Sequence, residues 1–195
     1  MEKDYLEQSA QNTIQARQIL EESRLISLWQ TAGATVHLIG SLAIGTLGKH
    51  LDIDLHIYTD ELDVAESFAV MAQVTLNSHI RHVCFTNLAY TDECCFEWHL
   101  QYETDNGRIW QIDVIQIKRG SLYDGHFEKQ NSAIKEAMSE EMRRTILKLK
   151  FETPDDMKIP GIEYYKAVIQ DGVRDFSSLI KWRERNHSEN GIIIW

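Results

Sequence analysis

The segment 36–57, VHLIGSLAIGTLGKHLDIDLHI, constrains the fold of this chain more than any other segment. An apolar strand is predicted to run into Gly40 and Ser41, and the next apolar strand carries Asp52 and Asp54. Because residues two apart in a strand share a face, both carboxylates are expected to point the same way. Carboxylate oxygens suit a hard cation such as Mg²⁺, and the N–H groups of a small-residue turn suit phosphate. The segment therefore predicts adjoining metal and phosphate sites, an arrangement suited to a nucleoside triphosphate.

Composition indicates a globular chain rather than a disordered or membrane-spanning one. Its 195 residues are 43% hydrophobic and 26% charged, which suffices for one compact domain or for a domain with an added helical subdomain. No apolar run approaches the roughly 18–20 residues that span a bilayer. The first residues, MEKDYLEQ, lack the layout of a secretory signal. We therefore expect a cytoplasmic protein with no membrane contact.

The charge balance bears on the partners of the chain. The formal net charge is −10, whereas proteins that grip long nucleic acids usually show a basic face. The basic residues are scattered, apart from a modest cluster at Arg143, Arg144, Lys148 and Lys150. A small-molecule acceptor is therefore expected rather than a long nucleic acid. The three cysteines form no spacing typical of zinc or redox sites and are expected to be reduced.

Hydrophobic periodicity predicts an α+β fold. A hairpin signal at Asn106-Gly107 joins two of the strands, and Asp63 is placed to cap a helix. We assign residues 1–120 to an α/β domain that includes the N-terminal helix, and residues 121–195 to a helical C-terminal subdomain. The predicted helices cover 4–31, 63–74, 126–150, 163–171 and 175–187, with a helical turn at 41–47, and the predicted strands cover 34–39, 51–58, 80–89, 93–103 and 108–118.

A glycine-serine turn, an Asp-x-Asp strand and an acidic residue on a later strand together resemble the nucleotidyltransferase superfamily typified by DNA polymerase beta. The matching residues are Gly40, Ser41, Asp52, Asp54 and Asp113. The resemblance covers roughly residues 34–117 and is nearest to the small stand-alone and antibiotic-modifying members. It implies a mixed, largely antiparallel sheet with flanking helices and a helical C-terminal segment.

The resemblance also implies a mechanism. Asp52, Asp54 and Asp113 would be the catalytic residues and would hold one or two Mg²⁺ ions. Asp113 would also help to deprotonate the acceptor hydroxyl, while Gly40 and Ser41 would bind the triphosphate. The products would be a nucleoside monophosphate ester of a small-molecule acceptor and pyrophosphate.

The chain departs from the family pattern at two positions. Many members carry a basic residue shortly after Gly-Ser, where this chain reads Leu-Ala-Ile-Gly, and a serine before Asp-x-Asp, where it has Leu51. Lys49 and His50 are the expected substitutes in phosphate binding. The missing basic residue leaves open a catalytically degenerate domain that binds a nucleotide or a protein. A glycosyltransferase that holds a metal–sugar-nucleotide on Asp-x-Asp is a weaker alternative, because the chain lacks a repeated βα pattern.

Several roles stay open in the sequence. Asp52 and Asp54 alternate with apolar residues, as they would on any half-exposed strand. The neighbour of Asp113 depends on the hairpin register, since a two-residue loop places Leu100 opposite it and a three-residue loop places His99 there. The terminal Ile-Ile-Ile-Trp segment, 192–195, is expected to dock on the core or on a partner subunit.

Overall fold

The computed structural model describes residues 2–186 and residue 195. Residues 192–194 of the terminal segment lie outside the described residues, while Trp195 packs, partly buried, against a cluster of the C-terminal helices. No helix of the described part has the length and apolar character needed to cross a membrane.

Eight α-helices and five strands make up the described chain. The strands are β1 (Thr35–Ile39), β2 (Asp52–Thr59), β3 (Ile80–Asn87), β4 (Cys95–Glu103) and β5 (Ile109–Lys118). The helices are α1 (Glu2–Glu22), α2 (Leu25–Thr31), α3 (Gly40–Ile44), α4 (Val64–Val74), α5 (His126–Ala137), α6 (Glu140–Glu152), α7 (Gly161–Tyr165) and α8 (Phe176–Asn186), with a π-helical turn at Lys166–Gln170 after α7.

The five strands form one mixed sheet in the order β1-β2-β5-β4-β3. The pair β2 and β5 is parallel, and the other three pairs are antiparallel. The predicted α+β fold with a largely antiparallel sheet is therefore confirmed. The parallel pair is central to the site, because it sets the strand that carries two of the candidate aspartates directly beside the strand that carries the third.

The two faces of the sheet differ in character. One face is buried under α1, α2 and α4, and its strand residues Ile53, Leu55 and Val114 are fully buried there. The alternation of side chains then places Asp52, Asp54 and Asp113 on the opposite face. The main hydrophobic core thus orients the strands so that their polar residues lie on the more open side.

A second hydrophobic cluster joins the C-terminal helices to the sheet domain. It contains buried residues of α5, α6, α7 and α8, and Ile44 of α3 belongs to it. This cluster brings α6 next to the Gly40-Ser41 corner. The division of the chain at residue 120 stays a prediction.

Two predicted helices are interrupted in the structure. The helix predicted over 4–31 ends at Glu22, and Arg24 adopts a left-handed conformation (φ +55°) before α2 begins. The helix predicted over 126–150 is divided between α5 and α6, where Ser139 caps α6 by accepting a hydrogen bond from the N–H of Met142. Helical periodicity continues across both breaks, so it did not reveal them. The predicted cap at Asp63 is confirmed, because its Oδ1 accepts from the N–H of Glu66 at 3.0 Å.

Candidate active site

The corner between β1 and α3 is built on Gly40. Its backbone is left-handed (φ +68°), and a Cβ at this position would lie 2.8 Å from Cγ of Asp54 and closer still to Oδ2. A side chain there would be strained and would also overlap the carboxylate, so glycine is the residue that lets the corner approach Asp54. The predicted proximity of the Gly-Ser turn to the Asp-x-Asp strand is present in the structure.

The sheet register brings the three aspartates onto neighbouring positions. In the parallel pair, Asp54 lies beside Asp113 and Asp52 lies beside Gln111. Neighbouring strands lie about 4.8 Å apart, so the carboxylates of Asp54 and Asp113 are on adjacent strands of the same face. They are still not tightly clustered. Among the described residues, the group whose possible ligand atoms all lie within 4.8 Å of one another is Glu93, Cys95 and Glu97.

The electrostatics of the aspartates favour a cation between them. The pKa of Asp54 is raised to about 7, chiefly by burial and then by the nearby Asp52 and Asp113 carboxylates, against the opposing effect of Lys150. The pKa of Asp52 is also raised, chiefly by burial, which His50 opposes and Asp113 reinforces. Carboxylates that repel one another in a partly buried site are stabilised in the charged form by a divalent cation. The donor set therefore fits Mg²⁺, which prefers carboxylate oxygens.

Lys150 of α6 supplies a cation at the Gly-Ser corner. Its side chain is 8% exposed, and its Nζ donates to Oγ of Ser41 at 2.7 Å and to the carbonyl of Thr46 at 3.1 Å. Sequence reasoning noted Lys150 only as part of a basic cluster. Its contact with Ser41 joins residues 109 positions apart, and this pairing depends on the tertiary packing of α6.

Lys49 and His50, which are predicted to substitute for the missing basic side chain, lie in different surroundings. Lys49 donates to the carbonyl of Thr153 and pairs with Asp155 at 2.5 Å, so its ammonium is engaged at the end of α6. His50 is exposed and lies near enough to Asp52 to lower the pKa of that carboxyl. Their roles in phosphate binding stay predictions.

Asp113 is held by two polar neighbours. The register places His99 of β4 opposite it, and Nδ1 of His99 lies 2.6 Å from its Oδ1. Gln111 donates from Nε2 to the same oxygen at 2.8 Å. The structure thus decides between the two hairpin registers that the sequence left open. Burial lowers the pKa of His99, but the hydrogen bond and charge of Asp113, together with Glu97, raise it by more, so the net shift is upward.

His56 lies further along β2 and is buried against α5. Its Nδ1 is 3.3 Å from Oε1 of Glu128, whose Oε2 accepts a hydrogen bond from the hydroxyl of Tyr58. Because residues two apart in a strand share a face, His56 and Tyr58 lie on the same face of β2 as Asp54, further along the strand.

The Glu93–Cys95–Glu97 group differs from the three aspartates in its donor atoms. It combines two carboxylates with a thiol, whereas Mg²⁺ prefers oxygen ligands. Burial and the neighbouring carboxylates raise the pKa of the Cys95 thiol to about 12.

Comparisons with known proteins identify the family and the fold of the chain. A family model described as a nucleotidyltransferase domain matches residues 17–139, more than half of the chain. A search of curated proteins finds no match.

Solved structures show the same fold. A mutant of the Cid1 poly(U) polymerase bound to MgATP aligns with a TM-score of 0.56 at 18% identity, over 81% of this chain and 49% of that one. A Cid1 structure described as an RNA terminal uridylyl transferase gives 0.55 at 16% identity, over 81% and 46%. The non-canonical poly(A) polymerase complex GLD-2–GLD-3 gives 0.53 at 10% identity, over 84% and 57%. The chain thus spans about half the length of these structures.

Proposed function

The chain belongs to the nucleotidyltransferase domain family, and we propose that it transfers a nucleoside monophosphate from a nucleoside triphosphate to a hydroxyl of a small-molecule acceptor, with Mg²⁺ as the cofactor. The observation that carries the proposal is the Gly40 corner, which lies against Asp54 with Asp113 on the adjacent strand. Lys150 adds to this corner an ammonium group that donates a hydrogen bond to Ser41.

The corner and Lys150 provide the contacts that a triphosphate requires. Ser41 can donate through its hydroxyl and its N–H, and Lys150 can offset phosphate charge from a buried position. The absence of a basic residue shortly after Gly-Ser is what favours a catalytically degenerate domain. The ammonium of Lys150, which reaches Ser41 from α6, supports the catalytic proposal instead.

Asp52, Asp54 and Asp113 would hold the Mg²⁺ ions. When bound, Mg²⁺ offsets the charge that develops on the attacking and leaving oxygens of an in-line displacement. The carboxylates of Asp52 and Asp54, whose pKa values are raised, and that of Asp113 on the adjacent strand suit such an ion, and a mutant of the Cid1 poly(U) polymerase has been solved with MgATP.

In the proposed reaction, the acceptor hydroxyl attacks the α-phosphorus and loses its proton to Asp113. A bond forms between the acceptor oxygen and the α-phosphorus, and the bond from the α-phosphorus to the bridging oxygen breaks. Pyrophosphate leaves with that electron pair. Asp113 is the expected base because it lies on β5, one strand further than β2 from the Gly40 corner and Lys150.

The charges on α6 support a small acceptor rather than RNA, the substrate class of the Cid1 neighbours. Both Arg143 and Arg144 bind Glu140, with Nε distances of 2.8 and 3.2 Å. Lys148 lies 3.8 Å from Glu152, and the net charge of the chain is −10. A basic surface that is already paired with its own carboxylates offers little phosphate neutralisation.

The acceptor class can be tested with α-phosphate-labelled nucleoside triphosphates and Mg²⁺. The label should move onto a component of a dialysable small-molecule extract, and an RNA oligonucleotide should receive none. Label on RNA that weakens steeply with added salt would instead establish a polymerase-like activity. If folded protein transfers the label neither to the small-molecule extract nor to RNA, the proposed function is wrong.

A further inference from the structure

The hydrogen bonds of Asp113 converge on one of its two oxygens. His99 approaches Oδ1 through Nδ1 at 2.6 Å, and Gln111 donates to the same Oδ1 at 2.8 Å. Within the described part of the chain, no hydrogen bond to Oδ2 is present. A carboxylate with both donors on one oxygen has a fixed rotamer and one oxygen left for another ligand.

The imidazole of His99 is itself held from both sides. Its Nε2 lies 3.6 Å from Oε2 of Glu97, two residues earlier on β4 and on the same face. Because a carboxylate oxygen only accepts, Nδ1 carries the proton that faces Asp113. Glu97, His99 and Asp113 therefore form a row across β4 and β5, and each member limits the rotation of the next.

From this geometry we infer that His99 is a positioning residue: together with Gln111 it holds Oδ1 of Asp113 and leaves Oδ2 for the acceptor hydroxyl or a divalent cation. The inference deepens the proposed function and rests on it for the identity of the reaction. Residues that orient a ligand carboxylate or imidazole in this way commonly contribute about 10- to 100-fold to metal affinity or activity.

The decisive comparison is between His99→Asn and His99→Leu. Asparagine can place an N–H donor near the position of Nδ1, while leucine has a similar size and shape and no donor. His99→Leu should lower kcat by about 10- to 100-fold with little change in the KM of the nucleoside triphosphate, since Ser41 and Lys150 are untouched. His99→Asn should retain most of kcat. Gln101→Leu, on the same face of β4 and without a hydrogen bond to Asp113, should behave as the wild type.

Mn²⁺ binding, followed by electron paramagnetic resonance without nucleotide, separates this inference from the proposed function. His99→Leu should weaken Mn²⁺ binding, and His99→Asn should restore it. Equal affinity and equal kcat in the leucine variant and the wild type would overturn the positioning role, as would an asparagine variant as impaired as the leucine one. If the wild type binds Mn²⁺ but transfers no nucleotide, the proposed function fails while the effect of His99→Leu on Mn²⁺ binding still decides the role of His99.

Discussion

Replacing Gly40 with alanine should damage the site through two separable effects. The first is backbone strain, because Gly40 has φ +68° and a left-handed residue with a Cβ costs about 1–2 kcal/mol. For a chain of 195 residues, this corresponds to a fall in Tm of roughly 2–8 °C.

The second effect is an overlap with Asp54. The new Cβ would lie 2.8 Å from Cγ of Asp54, whereas carbon atoms in ordinary contact are about 3.5–4.0 Å apart. The carboxyl group or the corner must therefore move by roughly 1 Å, and a misplacement of that size can cost about 100-fold in rate. Gly40→Ala should accordingly lose about 100-fold in kcat/KM and weaken Mn²⁺ binding.

Gly45→Ala is the matched control for Gly40→Ala. Gly45 has φ +85°, and a Cβ there would meet nothing within 4 Å. It should show the same loss of Tm while retaining most of its activity and Mn²⁺ affinity. The measurements are thermal unfolding, Mn²⁺ titration and label transfer on both variants. If Gly40→Ala and Gly45→Ala retain equal activity, the reasoning about the corner and Asp54 is wrong.

Two further predictions concern charge. Lys150→Met should raise the KM of the nucleoside triphosphate by about 10- to 100-fold, because a hydrogen bond to a charged group contributes about 1.5–3 kcal/mol. Lys49→Met should raise this KM less, since the Lys49 ammonium contacts Thr153 and Asp155. Steady-state kinetics in which Lys49→Met has the larger effect would contradict the role given to Lys150. In the metal-free folded protein, the pKa of Asp54 is about 7, against an ordinary value of 3.8. The contribution of Asp54 to the free energy of unfolding is therefore largest at low pH and is lost as the pH rises from about 4 through 7. Tm measured across that range should therefore fall less in Asp54→Asn than in the wild type, and an equal fall in both would refute the raised pKa.

The strands and the corner could be predicted because local rules govern them. Alternating apolar and polar residues set the faces of β2, and Asn106-Gly107 set the hairpin, so the strands and one antiparallel pair followed from patterns of short range. The parallel pairing of β2 with β5 has no such local signal. Gly40 could be singled out because a strand that ends in Gly-Ser predicts a turn. The resemblance to a family then assigned roles to Asp52 and Asp54 that the alternation alone could not give.

The remaining parts depend on long-range packing. Lys150 reaches Ser41 only because α6 packs against the corner, and sequence spacing carries no signal for that contact. His99 became the neighbour of Asp113 through a register that the turn residues left undecided. The break before α6 had a local signal, since Ser139 precedes two glutamates at the start of a helix, but continuous helical periodicity outweighed it.

The central claim is that the corner and the aspartates direct transfer of the α-phosphoryl group with its nucleoside. It is tested most directly by incubating the wild type and Asp54→Asn with Mg²⁺, the dialysable acceptor extract and triphosphate labelled at either the α- or the γ-phosphate. The account predicts that the α-label moves onto the acceptor, that the γ-label is released as pyrophosphate, and that Asp54→Asn does neither. Transfer of the γ-label to the acceptor, or an Asp54→Asn variant as active as the wild type, would contradict it.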